Sequence, residues 1–185
     1  MIRLLLVLTC SLGFLVSSTG HAASYSFSNS GSRITFDMSS SLHDFQGKVE
    51  SFTGTLDGDA GTGALSIDAT SLTTELGPRD TKMHEFCLES SKFSTISFDV
   101  KSITGDLAGL QSGSGSGKIV LNGNLTIRDM YVEENIETDY SFEDGVLTLR
   151  GSLRTSWKAL GVPDPSIIIS KLDPSMKVKF KLKLK

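Results

Sequence analysis

Two histidines and the carboxylates that follow them are the side chains best suited to bind a metal. His43 precedes Asp44, and His84 precedes Glu85. Imidazole and carboxylate groups suit zinc or copper, so the two pairs would form a metal site if the fold brought them together. The spacing matches no ligand pattern such as HExxH, and capping, turn formation or solvent exposure explains these residues equally well. Metal binding by His43 and His84 is therefore an alternative, not the leading interpretation.

Cys87 is the residue with the strongest potential for nucleophilic chemistry. It lies three residues after His84, which makes the two side chains neighbours on a helix and could lower the pKa of the thiol. A Cys-His hydrolase also needs an oxyanion donor and an orienting group, and the sequence identifies neither. We therefore expect Cys87 to be a small buried apolar residue and the protein not to be an enzyme.

The segment that carries His84 and Cys87 is the one with clear helical spacing. Met83, Phe86 and Cys87 are spaced to share one helical face, and Asp80 is a predicted N-cap. A lone helix among strands indicates a cap over the mouth of a curved sheet.

The rest of the chain consists of short runs in which apolar and polar residues alternate. The last run is the clearest, since five apolar residues alternate with five lysines from Met176 to Lys185. This pattern predicts an all-β, antiparallel β-barrel of about eight or nine strands with one short capping helix, a sandwich being the alternative. The last strand should pair with the first, near Tyr25 and Phe27, and so close the sheet. We expect a flexible loop over 107–118 and a proline-containing arch over 157–174.

The N-terminal 22 residues have the pattern of a signal peptide. Arg3 precedes an apolar run over residues 4–16, and Gly20 and Ala22 occupy the −3 and −1 positions of a cleavage site. The run is too short for a membrane span, and a lipoprotein modified at Cys10 is an alternative. We expect residues 1–22 to be removed, residues 23–185 to form one domain, and the protein to be periplasmic.

The charge distribution excludes one class of partner and indicates another. The formal net charge is −3, whereas a nucleic-acid-binding protein normally has a basic surplus with interleaved aromatic residues. The C-terminal lysine strand could instead make a transient contact with an anionic membrane surface or partner. The oligomeric state is open, a homodimer being one option.

Several ordered motifs resemble those of a known family. They are Phe45-Gln46-Gly47 with residues 52–56, then Arg79-Asp80, Met83-His84, residues 93–98, and residues 123–128 (Gly-Asn-Leu-Thr-Ile-Arg). In this order they resemble the signature of the YceI-like family of exported polyisoprenoid-binding proteins. The resemblance covers nearly all of the chain after the signal peptide. Ser94 stands where the family usually has proline, which leaves the identity of the ligand open.

The resemblance implies a lipocalin-like barrel that binds, transports or stores an isoprenoid-type lipid and has no cofactor. The expected lining residues are apolar residues on the inward faces of the strands, together with one residue of the helix. They are Phe27, Phe36, Phe52, Ile67, Phe86, Phe98, Leu125, Tyr140 and Leu149. Ordinary core packing accounts for each of them equally well. A further alternative is a stress-related interaction module without a lipid ligand.

Overall fold

A computed structural model describes residues 24–166 and 171–185 of the chain. The predicted signal peptide, residues 1–22, lies outside the described residues. The described chain forms an antiparallel sheet of 11 strands, which we number in chain order. The strands are β1 (Ser24–Ser28), β2 (Arg33–Ser40), β3 (Phe45–Val49), β4 (Phe52–Asp57), β5 (Thr62–Asp68), β6 (Leu72–Thr73), β7 (Thr95–Gly105), β8 (Ser116–Ile127), β9 (Met130–Glu143), β10 (Val146–Ser156) and β11 (Leu172–Leu184).

Short helical elements complete the described structure. They are a 3₁₀ turn (Ala69–Ser71), helix α1 (Gly77–Lys82), a π-helical turn (Met83–Cys87) that continues α1, and helix α2 (Ala108–Ser112). Among the described residues, no helix combines the length and the apolar character needed to cross a membrane.

The strand order across the sheet is β1-β4-β5-β7-β8-β9-β10-β11-β2-β3-β6. Long hairpins dominate, and the one between β9 and β10 turns at Asp144 and Gly145, which both have positive φ (51° and 74°). Such a two-residue turn matches the right-handed twist of its strands. Because apolar and polar residues alternate along the strands, one face of the curled sheet collects the core and the other faces solvent.

The strand count differs from the structure, and the predicted closure between the last strand and the first is met at one residue pair only. The sheet has 11 strands rather than eight or nine, partly because it includes the short β3 and the two-residue β6. Strand β11 does not pair along β1; it lies between β10 and β2. Its contact with β1 is a pair of backbone hydrogen bonds between Ser26 and Lys185, at 2.8 and 3.0 Å. The five-residue β1 pairs instead with β4. The sheet is therefore a curled half-barrel.

The predicted role of Asp80 as an N-cap is wrong. Helix α1 begins at Gly77, with Pro78 in its first turn, so Asp80 lies inside the helix. Its carboxylate accepts hydrogen bonds from Thr73 Oγ1 and from the backbone N–H of Thr74, both at 2.7 Å. Asp80 thus ties the helix to the end of β6 and to the residue that follows it.

The prediction that Met83, Phe86 and Cys87 share one helical face is also wrong. The N–H of Leu88 donates to Met83 O, five residues back, so the turn is wider than a turn of α-helix. In such a turn each residue rotates about the helix axis by a smaller angle than in an α-helix. Cys87 is buried, whereas the side chain of Phe86 is 49% exposed.

Two predicted loops contain ordered packing. Helix α2 lies within residues 107–118, where Leu110 is fully buried and its carbonyl accepts a hydrogen bond from Tyr25 Oη at 3.0 Å. Within 157–174, Trp157 and Leu160 are buried, and Trp157 Nε1 donates to Asp173 O at 2.8 Å. The sheet resumes at Leu172, and its register with β2 shifts across Pro174.

Candidate ligand-binding cavity

An apolar cavity lies against the inner face of the curled sheet. Its volume is about 150 Å³. Of its 23 lining residues among those described, only Thr55 has a polar side chain. The walls come from β1, β2, β4, β5, β7, β8, β9, β10 and β11, together with Val49 of β3 and Leu72 of β6. The sheet therefore surrounds a space that lacks charged lining groups among the described residues.

Three phenylalanine rings in the cavity wall lie over glycines of neighbouring strands. Phe36 is directly opposite Gly47, Phe27 opposite Gly54, and Phe180 opposite Gly151. A Cβ atom on Gly47 would lie only 2.0 Å from Cζ of Phe36, and one on Gly54 only 2.2 Å from Cζ of Phe27. Because glycine has no side chain, each ring can lie across the next strand instead of standing in the cavity.

Six of the nine predicted lining residues lie at the cavity wall. They are Phe27, Phe36, Ile67, Phe98, Leu125 and Leu149. Their alternation along the strands was the signal that identified them, because residues of one parity share one face of a sheet. The binding of a ligand by these residues stays a prediction.

The other three predicted residues lie elsewhere. Phe52 is 2% exposed and belongs to the packed core, and Tyr140 is also buried, with its ring edge-on to Phe142 at a centroid distance of 6.3 Å. Phe86 is on the outer side of the wide helical turn and is exposed. The first two are core residues that do not border the cavity, and the third is misplaced because the turn is not a regular α-helix.

Sequence reasoning missed the contribution of the last strand to the cavity. Met176, Val178, Phe180 and Leu182 all line it. Their alternation with lysines is the strongest strand signal in the chain. Parity alone could therefore have identified these four residues.

The candidate metal ligands and the thiol do not form a reactive centre in the described structure. Among residues 24–166 and 171–185, no group of three or more His, Cys, Asp or Glu side chains is placed to hold a metal ion. His43 is exposed in the turn between β2 and β3, and Nδ1 of His84 is buried without a hydrogen-bond partner. Burial raises the pKa of the Cys87 thiol, although the positive charges of Lys82 and Arg128 oppose the shift. A neutral buried thiol is a poor nucleophile.

Arg128 joins three loops at one end of the sheet. Its guanidinium forms an ion pair with Glu89 (Nη2 to Oε2, 2.9 Å) and donates to Gly161 O at 3.4 Å. It also lies 5.5 Å from the centroid of the Phe93 ring. Its backbone has a positive φ of 59°, in the turn between β8 and β9. The side chain thus connects that turn to the segments that follow β10 and the helical turn.

The comparisons with known proteins place this arrangement in a family context. The model of the YceI-like domain matches residues 25–184. No curated protein gives a significant match.

Solved structures with a similar fold have low sequence identity to this chain. The polyisoprenoid binding domain from Saccharophagus degradans, implicated in plant cell wall breakdown, has a TM-score of 0.72 at 14% identity, over 89% of this chain and 99% of that one. BcnA of Burkholderia cenocepacia has a TM-score of 0.71 at 15% identity, over 85% of this chain and 98% of that one. The YCEI protein of Campylobacter jejuni has a TM-score of 0.59 at 14% identity, over 74% of this chain and 82% of that one. At these identities the likeness shows the fold.

Proposed function

The chain belongs to the family of YceI-like domains, and on this premise we propose that it binds the hydrocarbon chain of an isoprenoid-type lipid in the apolar cavity. We propose further that it carries or stores this lipid in the periplasm. The export pattern of residues 1–22 supports the location.

The observation that carries the proposal is the composition of the cavity wall. A polar ligand would need fixed donors and acceptors, and the wall among the described residues offers one hydroxyl, that of Thr55. A hydrocarbon chain needs none, because each buried CH₂ group contributes about 0.8 kcal/mol through the hydrophobic effect.

The size of the cavity indicates that its walls must separate when a ligand enters. A volume of about 150 Å³ is below the roughly 300–1,000 Å³ of ordinary ligand pockets. A long isoprenoid chain therefore needs outward movement of the rings and aliphatic side chains that now line the cavity.

The isoprenoid class rests on the family and on a structural neighbour. The domain from Saccharophagus degradans is described as polyisoprenoid-binding, and it shares the fold over 89% of this chain. The apolar wall fits such a chain as well as it fits a fatty acyl chain. The experiment must therefore identify the lipid as well as detect it.

The test is extraction of the purified protein with organic solvent, followed by mass spectrometry. We expect a co-purified isoprenoid, and binding of an added long-chain isoprenoid by the delipidated protein. A Leu65→Trp variant, with an indole at the cavity wall, should reduce the bound amount. Phe86→Ala, outside the cavity, should leave it unchanged.

Three outcomes would count against the proposal. Absence of both co-purified lipid and isoprenoid binding would refute it. A fatty acyl lipid in place of an isoprenoid would refute the ligand class alone. Equal loss in the Leu65 and Phe86 variants would show that binding does not occur in this cavity.

A further inference from the structure

The outer face of β11 and its two neighbours carries an unusual concentration of positive charge. Eight of the chain's 18 lysine and arginine residues belong to it, although the formal net charge is −3. They are Arg33 of β2, Arg150 and Arg154 of β10, Lys177, Lys179, Lys181 and Lys183 of β11, and Lys185 directly after β11. We call these eight residues the basic face.

The pairing register places several of these cations directly opposite one another. Lys181 is opposite Arg150 on one side and Arg33 on the other, and Lys177 is opposite Arg154. Like charges at directly opposed positions destabilise a sheet. The opposed cations therefore destabilise the fold, so the stability of the fold does not explain why they are there.

The strands beside β11 supply one carboxylate against this charge, while Glu143 and Asp144 line a surface depression together with Lys183 and Lys185 at one end of the basic face. Across the positions of β2 and β10 that pair with residues 177–183, the single carboxylate is that of Asp37, and it forms an ion pair with Lys179. Asp139 of β9 is opposite Arg150, but its ion pair is with Lys118. Within the described residues, the other seven cations of the basic face form no ion pair.

Two ordinary explanations for surface lysines do not apply here. Lysines on an edge strand prevent aggregation, but β11 is an inner strand with partners on both sides. Lysines also serve simply to keep the outer face of one strand solvated, but this does not explain the arginines that lie opposite them on β2 and β10. The cations instead form an area about 27 Å long and about 10 Å wide, taking ~3.4 Å for each residue from 177 to 185 and ~4.8 Å between strands.

We propose that the basic face docks the protein on the surface of an anionic phospholipid membrane. Flexible lysines without an apolar anchor suit a membrane, because protein interfaces are depleted in lysine and built on buried aromatic residues. The aromatic residues among 177–183 and the positions paired with them are Phe180 and Phe36, and both line the cavity on the inner face. This part of the described sheet therefore lacks the outward aromatic rings on which the bases of a single-stranded nucleic acid would stack. This inference rests on the outer face alone and does not depend on the cavity.

The experiment measures sedimentation of the protein with vesicles of phosphatidylcholine, with and without 30% phosphatidylglycerol. Two variants, each lacking four positive charges, are compared with the unmodified protein, and all three carry the same N-terminus. The face variant is R150Q/R154Q/K181Q/K183Q, and the matched control, built on exposed lysines elsewhere, is K92Q/K101Q/K158Q/K171Q.

We expect binding to the phosphatidylglycerol vesicles that disappears in high salt, and no binding to pure phosphatidylcholine. A basic residue near such a surface contributes about fivefold in affinity. The face variant should therefore bind at least about 100-fold more weakly, and the control should stay within about fivefold of the unmodified protein. Circular dichroism checks the fold. If the fourfold variant does not fold, R150Q/K181Q should weaken binding about 25-fold.

Other results would overturn the inference. Equal loss of binding in the face and control variants would show a general charge effect. Binding to pure phosphatidylcholine, or no binding to either vesicle, would refute membrane docking. Preferential binding to polyglutamate or to a single-stranded oligonucleotide would identify an acidic protein or a nucleic acid as the partner instead.

Discussion

Replacement of Gly47 by alanine tests whether glycine holds the cavity open. The new Cβ would lie 2.0, 2.4 and 2.6 Å from three atoms of the Phe36 ring, where ordinary contact begins near 3.4 Å. The ring must therefore move by about 1.4 Å, the difference between 3.4 and 2.0 Å. Since the backbone of β3 lies on one side of the ring, the available space is the cavity.

The expected cost is that of an overpacked core, about 1–3 kcal/mol. In a protein of this size each kcal/mol lowers the melting temperature by about 2–4 °C. Urea unfolding measures the loss directly. The amount of bound lipid should fall as well, because the displaced ring occupies ligand space.

A double-mutant cycle with Phe36→Leu identifies the cause. In the Phe36→Leu background the Gly47→Ala change should be neutral or slightly stabilising, since alanine also lowers the entropy of the unfolded chain. Gly54 provides the contrast. A Cβ there would meet the backbone oxygen of Ala64 at 2.5 Å in addition to the Phe27 ring, so Phe27→Leu should rescue Gly54→Ala only in part. An equal cost of Gly47→Ala in both backgrounds would refute the reasoning.

Four further substitutions test individual side chains by urea unfolding. Arg128→Met should destabilise the protein by about 1–2 kcal/mol. Glu89→Gln should cost less, because Arg128 keeps its hydrogen bond to Gly161 and its contact with Phe93. Equal effects of the two substitutions would contradict the role of Arg128 in connecting three loops. Asp80→Asn should cost about 1–2 kcal/mol at neutral pH. Burial alone would raise the pKa of Asp80, but hydrogen bonds from Thr74 and Thr73 outweigh it and lower the pKa. The stability lost in Asp80→Asn should therefore disappear as the pH falls through the folded-state pKa of Asp80. A loss of stability that stays constant with pH would contradict this. Burial raises the pKa of Cys87 above its unfolded value near 8.5, so the folded state retains the proton longer. The stability of the unmodified protein relative to Cys87→Ala should therefore decline as the pH rises from about 8.5 through the folded-state pKa, and a flat difference would contradict this.

The sequence was most informative where alternation is regular. The parity of Phe98, Leu125 and Leu149 placed them on the inner face, since a strand has a fixed period of two. Parity does not distinguish a residue that borders a cavity from one packed beside it. Phe52 and Tyr140 were for this reason assigned to the wall although they lie in the solid core.

The helical segment shows a different limit. A pattern of three and four residues assumes a regular α-helix, and the bond from Leu88 to Met83 replaces it with a wider turn. That choice depends on tertiary packing, which buries Cys87 and leaves Phe86 exposed. Strand β6, with two residues, is likewise too short for any periodicity and exists only through its pairing with β3.

The register of β11 positions both proposed surfaces. Val178, Phe180 and Leu182 face the cavity, while the lysines between them belong to the basic face. A shift by one residue would exchange the two sets, moving lysines into the core. Two contacts resist such a shift: the Phe180 ring fits over Gly151 on one side, and Lys179 forms its ion pair with Asp37 on the other. The repulsion among the opposed cations is therefore tolerated because apolar burial on the inner face fixes the same register.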